Sequence, residues 1–227
     1  MSTTPVRVVS VSVTSRRLAL LGLASVGVIL VGMVAAAIPY HGHAAESYSP
    51  LNHFVSELGE IAGSRLAWAF NLGLILGGMG LGSFLLLLVD RFEGPFRIAL
   101  VVVGVAAGIS GTLVGVYPMD YLLTHRIVSS ILFLTGWLVA AIFSLRLLVR
   151  PLPGMPRWLL VPGGVVVAVS VTFIAVYSTY RPANPDGPIA NRPADFWSVP
   201  FLEWASLLSL LAWFVCVSLV LLRERSE

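Results

Sequence analysis

The stretch SRRLALLGLASVGVILVGMVAAA, residues 15–37, decides the fold class. After Arg17 no charged residue appears until the loop beyond position 40. A hydrocarbon core about 30 Å thick is crossed by about 20 apolar residues in a helix. This run meets that length, with Arg16 and Arg17 at one end. Its basic start and small-residue end also suit a secretory signal peptide, but its apolar run exceeds the usual h-region of about 7–15 residues. It is therefore taken as a membrane span over 18–38. Five further segments match it: 66–89, 96–117, 126–149, 158–180 and 199–222. The expected fold is all-α, a polytopic membrane bundle of six transmembrane helices.

Composition agrees. The 227 residues are 57% hydrophobic and 11% charged, with a mean hydropathy of +0.92. A soluble domain carries about a quarter charged residues, so this chain cannot cover a water-facing surface. All fourteen basic residues are Arg, and the net charge is +3. They flank helices and do not interleave with aromatics, which leaves no footprint for nucleic acid. The single cysteine, Cys216, permits neither an intrachain disulfide nor a cysteine metal cluster.

Arginine placement sets the expected orientation. With the N-terminus inside, Arg7, Arg16, Arg17, Arg91, Arg97, Arg146, Arg150, Arg157, Arg223 and Arg225 are cytoplasmic. Arg65, Arg126, Arg181 and Arg192 are outside. The expectation is a multi-pass cell-membrane protein with a cytoplasmic segment 1–17, a membrane domain 18–222 and a cytoplasmic tail 223–227. The cytoplasmic turns DRFEGP and RPLPGMPR are short, whereas the outer loops 39–64 and 181–198 are long. Long ordered loops on a rigid scaffold tend to carry function. Within the scaffold, Gly73, Gly77, Gly78 and Gly82, and then Gly104, Gly108, Gly111 and Gly115, predict a tight crossing of the second and third helices.

The first long loop contains YSPLNHFVSELGE, residues 48–60, a polar knot in an apolar chain. Ser49 suits an N-cap, Pro50 the first helical position and Gly63 the C-terminal end. At helical spacing Leu51, Phe54, Val55, Leu58, Ile61 and Ala62 share one face. Asn52, His53, Ser56, Glu57 and Glu60 share the other. This predicts a short amphipathic helix between spans 1 and 2, lying in the interface. On it His53 and Glu57, and Ser56 and Glu60, are i,i+4 pairs. A carboxylate beside a histidine orients the ring as a base or a ligand.

A second knot is GVYPMDYLLTHRIVSS, residues 115–130. Pro118 ends a helix and Asp120 can cap the next. His125 and Ser129 follow one turn apart, as do Arg126 and Ser130. A third is the proline-rich loop before the last span, where Arg181, Asp186, Arg192 and Asp195 can pair among themselves. There Phe196, Trp197 and Trp204 suit an aromatic belt. Glu203, one turn inside the last apolar segment, needs a partner, with Arg126, Arg65 or a histidine as candidates.

These elements resemble the six-helix prokaryotic family known as domain of unknown function 998. Its Y-S-P-x-x-x-x-x-S-x-L-G element matches Tyr48, Ser49, Pro50, Ser56, Leu58 and Gly59. Its G-x-(F/Y)-P-x-D...H element matches Gly115, Tyr117, Pro118, Asp120 and His125. Many members have Asp where this chain has Glu57, and Phe is commoner than Tyr117. The resemblance implies a six-helix membrane protein and no particular activity. A more distant comparison is with membrane hydrolases of the alkaline ceramidase and adiponectin-receptor group. These use Ser, Asp and three His around zinc, and this chain lacks their paired His in a late helix.

Two function classes remain. In the first, a polar pocket on the outer side binds a lipid head group or small molecule through Asn52, Ser56, Glu60, Arg126, Ser129 and Glu203, with Arg126 and Arg65 or Arg192 clamping a phosphate. In the second, a lipid-modifying enzyme or hydrolase works through His53, Glu57, Asp120 and His125. No cofactor is expected; zinc on His53, His125 and Asp120 is the alternative. The expected partners are the bilayer and a lipid or small-molecule ligand. Transport is disfavoured, because no chain of ionisable groups crosses the spans and no broken helix pair is visible.

Overall fold

The computed structural model describes residues 15–43, 45–183 and 192–224. Arg7 and Arg225, Asp186, and the side chain of Arg181 lie outside that description. Six helices carry the fold: α1 Ser15–Ala37, α2 Ala67–Leu88, α3 Gly94–Val116, α4 Leu122–Val149, α5 Leu160–Ala183 and α6 Ser198–Arg223. All six are long and apolar enough to cross a membrane. Among the described residues the only β-pairing is one isolated bridge, Tyr40 to Ser64.

Each helix packs on the next in the chain, and α6 closes the ring against α1. Neighbours are thus antiparallel and joined at alternating ends. One end holds residues 38–66, the 117–121 turn and the approach to α6; we call it the loop end. At the opposite end the Arg91 guanidinium forks onto both oxygens of Glu224, each at 2.7 Å, and also reaches Ser15 Oγ at 2.8 Å. That contact ties the starts and stops of three helices. Large apolar side chains such as Val31, Val102, Leu123 and Val161 are exposed around the perimeter. Helices apolar on all sides suit a lipid surround.

Glycine sets the closeness of α1, α2 and α3. Gly73 faces the Val28 carbonyl of α1, whereas Gly82 and Gly108 face each other across α2 and α3. A Cβ on Gly82 would stand 2.9 Å from Gly108 Cα, and one on Gly108 would stand 2.7 Å from Gly82 Cα. The tight crossing of α2 and α3 expected from the glycine spacing is present. Hydrocarbon supplies no hydrophobic drive between helices, so backbone approach and van der Waals contact hold them.

The expected amphipathic helix over 49–62 is not formed. Asn52 N and His53 N both bond to Ser49 O, making a single turn. Phe54 is then extended (φ −64°, ψ 145°), and a five-residue 3-10 helix, Val55–Gly59, follows. Asn52, His53 and Glu57 are buried, whereas Leu51 and Ile61 of the supposed apolar face are 46% and 69% exposed. The physical reason is competition for the amides. Glu57 Oε1 accepts the Phe54 N–H at 2.8 Å, and Glu203 Oε2 accepts the Val55 N–H at 2.6 Å. Two carboxylates hold the N–H groups that a continuous helix would have used.

We expect Gly82→Ala or Gly108→Ala to cost about 1–3 kcal/mol through overpacking. Gly27→Ala and Gly164→Ala, with nothing near the added methyl, should be neutral. Thermal unfolding of the four variants in one detergent checks this.

Candidate functional site

The loop end is organised around Glu57, which is fully buried. Its oxygens accept from Phe54 N, from Tyr40 Oη at 3.0 Å and from the Arg192 guanidinium. Arg192 also donates to Glu46 Oε1 at 3.2 Å. One guanidinium therefore joins the segment before α6 to two carboxylates of the first long loop. Two further ties reinforce it: Asn52 Nδ2 donates to Pro193 O at 3.1 Å and Ala194 O at 2.6 Å, and Trp197 N donates to Leu51 O. Burial pushes the Glu57 carboxyl up, while Arg192, the Phe54 amide and Tyr40 oppose it.

His53 is oriented by Asn52. The Asn52 amide nitrogen is held by two carbonyls, so Asn52 Oδ1 faces His53 Nδ1, at 2.7 Å. Nδ1 faces two acceptors, Asn52 Oδ1 and Ser49 O at 3.2 Å, against one longer approach by the Ser49 N–H at 3.3 Å, so Nδ1 carries the proton and in the neutral ring Nε2 is the lone pair. Tyr40 and Tyr48 pack against the imidazole at 5.3 and 5.2 Å between ring centres. Burial first, and then the Arg192 charge, hold its pKa below the ordinary histidine value.

A cavity of about 310 Å³ lies between α4 and α5 at this end. Ser56, His125, Arg126, Ser129, Ser130 and Glu203 line it, together with Phe54, Phe133, Leu134, Phe173, Ile174 and Tyr177. Along α4 the polar lining ends at Ser130, and Phe133 and Leu134 follow about 10 Å deeper than Arg126 at 1.5 Å per residue. Ser130, Leu134 and Ser178 are exposed, so the cavity reaches the perimeter of the bundle between α4 and α5. His125 Nδ1 lies 2.8 Å from Tyr117 O, which places the proton on Nδ1 and leaves Nε2 as the lone pair of that ring too.

Several expected pairings are replaced by others. His53 is oriented by Asn52 and not by Glu57. Ser56 Oγ donates to Met119 Sδ at 3.2 Å, and Glu60 Oε1 bonds to His43 Nε2 at 2.9 Å, so Ser56 and Glu60 do not pair. Asp120 Oδ2 accepts the Ile61 N–H at 3.1 Å and does not cap α4. Ser129 Oγ bonds to the Arg126 carbonyl rather than to His125. Glu203 is buried and faces inward, but its partner is the Val55 amide and not an arginine or histidine. Arg192 leaves its own loop for Glu46 and Glu57, and Arg65 is exposed away from the cavity. Trp197 packs on Phe54 and Tyr180, and Trp204 Nε1 donates to Tyr48 Oη at 2.9 Å. Asn71 Nδ2 donates to Gly59 O at 2.9 Å, pinning the 3-10 helix to α2.

The candidate residues thus fall into two groups. Ser56, His125, Arg126, Ser129 and Glu203 share the α4–α5 cavity. Asn52 and His53 face a second cavity with Glu46 and Arg192, and Glu57 lies behind them. The candidate zinc donors His53, His125 and Asp120 do not converge. Among the described residues no three His, Cys, Asp or Glu side chains form a metal-holding group. Glu46 and Tyr40 are missed from the sequence, and Arg192 reads there as a phosphate clamp or a partner within its own loop, not as the counter-charge of Glu57.

Arg192→Ala should destabilise the protein by about 3–5 kcal/mol, because it strands buried Glu57 without its counter-charge. Arg192→Lys, which cannot fork onto two carboxylates, should recover only part of this. Hydrogen exchange at residues 52–57 and thermal unfolding measure both. For His53 the folded pKa lies below the unfolded one, so its stabilising contribution is present above the ordinary imidazole pKa and is lost as pH falls toward the folded value. Wild type should lose stability relative to His53→Gln as a pH series descends through that window.

No curated protein and no solved structure matches the chain. A family model described as a protein of unknown function, DUF998, matches residues 29–220, nearly the whole of the six-helix ring and both cavities. On that match, and with the expected motifs at the loop end of a six-helix bundle, the chain belongs to the DUF998 family.

Proposed function

We propose that this protein is a multi-pass cell-membrane receptor or carrier site for an anionic amphiphile, with the loop end extracytoplasmic and both termini cytoplasmic. The observation that carries this reading is the cavity between α4 and α5, polar at the loop end and aromatic and aliphatic deeper down. A head group would sit against Arg126, with Ser129, Ser130 and His125 as further hydrogen-bonding groups. Its chain would run past Phe133, Leu134, Phe173 and Ile174 toward the opening at the perimeter. Among the described residues that line the cavity, Arg126 is the one arginine. A guanidinium meets a phosphate or carboxylate through charge-assisted hydrogen bonds, so a single anionic group is favoured. The arginine asymmetry between loops supports the orientation.

A second reading is a lipid-modifying enzyme using the same cavity. It is supported by the tautomer of His125, whose Nδ1–H is taken by Tyr117 O, so that Nε2 is available as a base.

The test is native mass spectrometry of the full chain reconstituted with phosphatidylglycerol or phosphatidylcholine. Preferential retention of phosphatidylglycerol is expected, weakened about tenfold or more by Arg126→Gln and blocked by Ile174→Trp, which fills the apolar end. Equal retention of both lipids, or indifference to both substitutions, would refute the reading. Conversion of a bound lipid to product, abolished by His125→Asn, would establish the enzyme instead.

A further inference from the structure

The segment 53–57 is a wall with a cavity on each side. Phe54 and Ser56 face the α4–α5 cavity; His53 faces a second one of about 400 Å³, which Glu46, Ser47, Ser49, Asn52 and Arg192 also line. We infer that this second cavity is a binding site for a primary ammonium group, held between His53 Nε2 and the Glu46 carboxylate. It is a different site from the amphiphile cavity and does not depend on that reading.

The argument begins with the bare lone pair. Asn52 fixes the proton of His53 on Nδ1, so Nε2 is an acceptor. His53 is 2% exposed, and Nε2 has no hydrogen-bond partner among the described residues. A buried polar atom without a partner is costly. Glu46 Oε1 stands 3.8 Å from Nε2, too far for a hydrogen bond and close enough for one ligand atom to touch both. Both are acceptors, so an atom that bridges them must carry two hydrogens. A hydroxyl has one and a trimethylammonium none. Water and an amino group have enough, and an ammonium adds Coulomb attraction to the carboxylate.

Burial, and then the Arg192 charge, disfavour a proton on the ring, so Nε2 keeps its lone pair. Arg192 is shared between two carboxylates, Glu46 and Glu57, so the Glu46 side supplies the negative charge that offsets Arg192 for a cationic ligand. The two tyrosine rings behind His53 keep the imidazole from turning away. Glu46 is the accessible partner, its side chain 30% exposed against 3% for His53. A ligand therefore enters past Glu46 and meets Nε2 at the back. The amine can be soluble or can belong to an ethanolamine lipid head group; the chemistry of recognition is the same.

The full chain, labelled with ¹⁵N-histidine in phosphatidylcholine nanodiscs, is titrated with ethanolamine and separately with choline. Ethanolamine should move one unprotonated histidine nitrogen resonance to its hydrogen-bonded position, and choline should not. Glu46→Gln, on an accessible side chain, should weaken the ethanolamine response about tenfold or more. A shift in phosphatidylethanolamine nanodiscs without free amine would assign the group to a lipid; a shift only with free amine would assign it to a soluble ligand. No shift with either source, equal shifts with choline, or an Nε2 resonance already hydrogen-bonded in the absence of amine, as for a bridging water alone, would each overturn the inference. The ethanolamine–choline comparison is made on wild type, so a poorly folding variant does not decide it.

Discussion

The arrangement of the loop end depends on one buried carboxylate. Glu57 is shielded from water by residues that supply donors from three places: the Tyr40 hydroxyl after α1, its own segment's Phe54 amide, and Arg192 before α6. A carboxylate without those donors would not stay charged in such a place. With them it fixes the chain path of residues 53–57, and that path is the partition between the two cavities. Glu203 does the same from the α6 side by holding the Val55 amide. Backbone N–H groups that lack a helical partner are thus satisfied by side chains, as they must be in apolar surroundings.

Beneath that end the bundle supplies rigidity by a different force. The α1–α2–α3 side is drawn close by glycine, with backbone against backbone. The α4–α5 side is less tightly joined, and it is there that the first cavity opens. The two features are complementary: a close-packed wall positions the loop segment, and a looser seam leaves room beside it. The Arg91–Glu224–Ser15 contact closes the far end, so both ends of the ring are tied by an arginine shared among elements distant in sequence.

The polar residues were conspicuous in the sequence, but their pairings were not. His53 and Glu57, or Ser56 and Glu60, touch if residues 49–62 are helical, and nothing in the spacing argues otherwise. The spacing does not contain the two carboxylates that take the Phe54 and Val55 amides, one of which comes from position 203. Trp197 and Trp204 likewise read as belt residues because aromatic residues at a span's edge often are. Their partners within the protein, Phe54, Tyr180 and Tyr48, lie across the loops and could not be read from that position.

By itself the sequence determined six apolar helices, the tight α2–α3 crossing and the concentration of the histidines and most of the carboxylates toward one end. These follow from run length, small-residue period and hydropathy, all properties of neighbours along the chain. Only the tertiary structure decided that the 48–64 segment is a folded-in partition and not a surface helix, that Asn52 orients His53, that Arg192 serves Glu46 and Glu57, and that the polar candidates divide between two cavities instead of sharing one. Each of those outcomes rests on a hydrogen bond or ion pair between residues that come together only when the ring closes, and such contacts leave no period in the sequence.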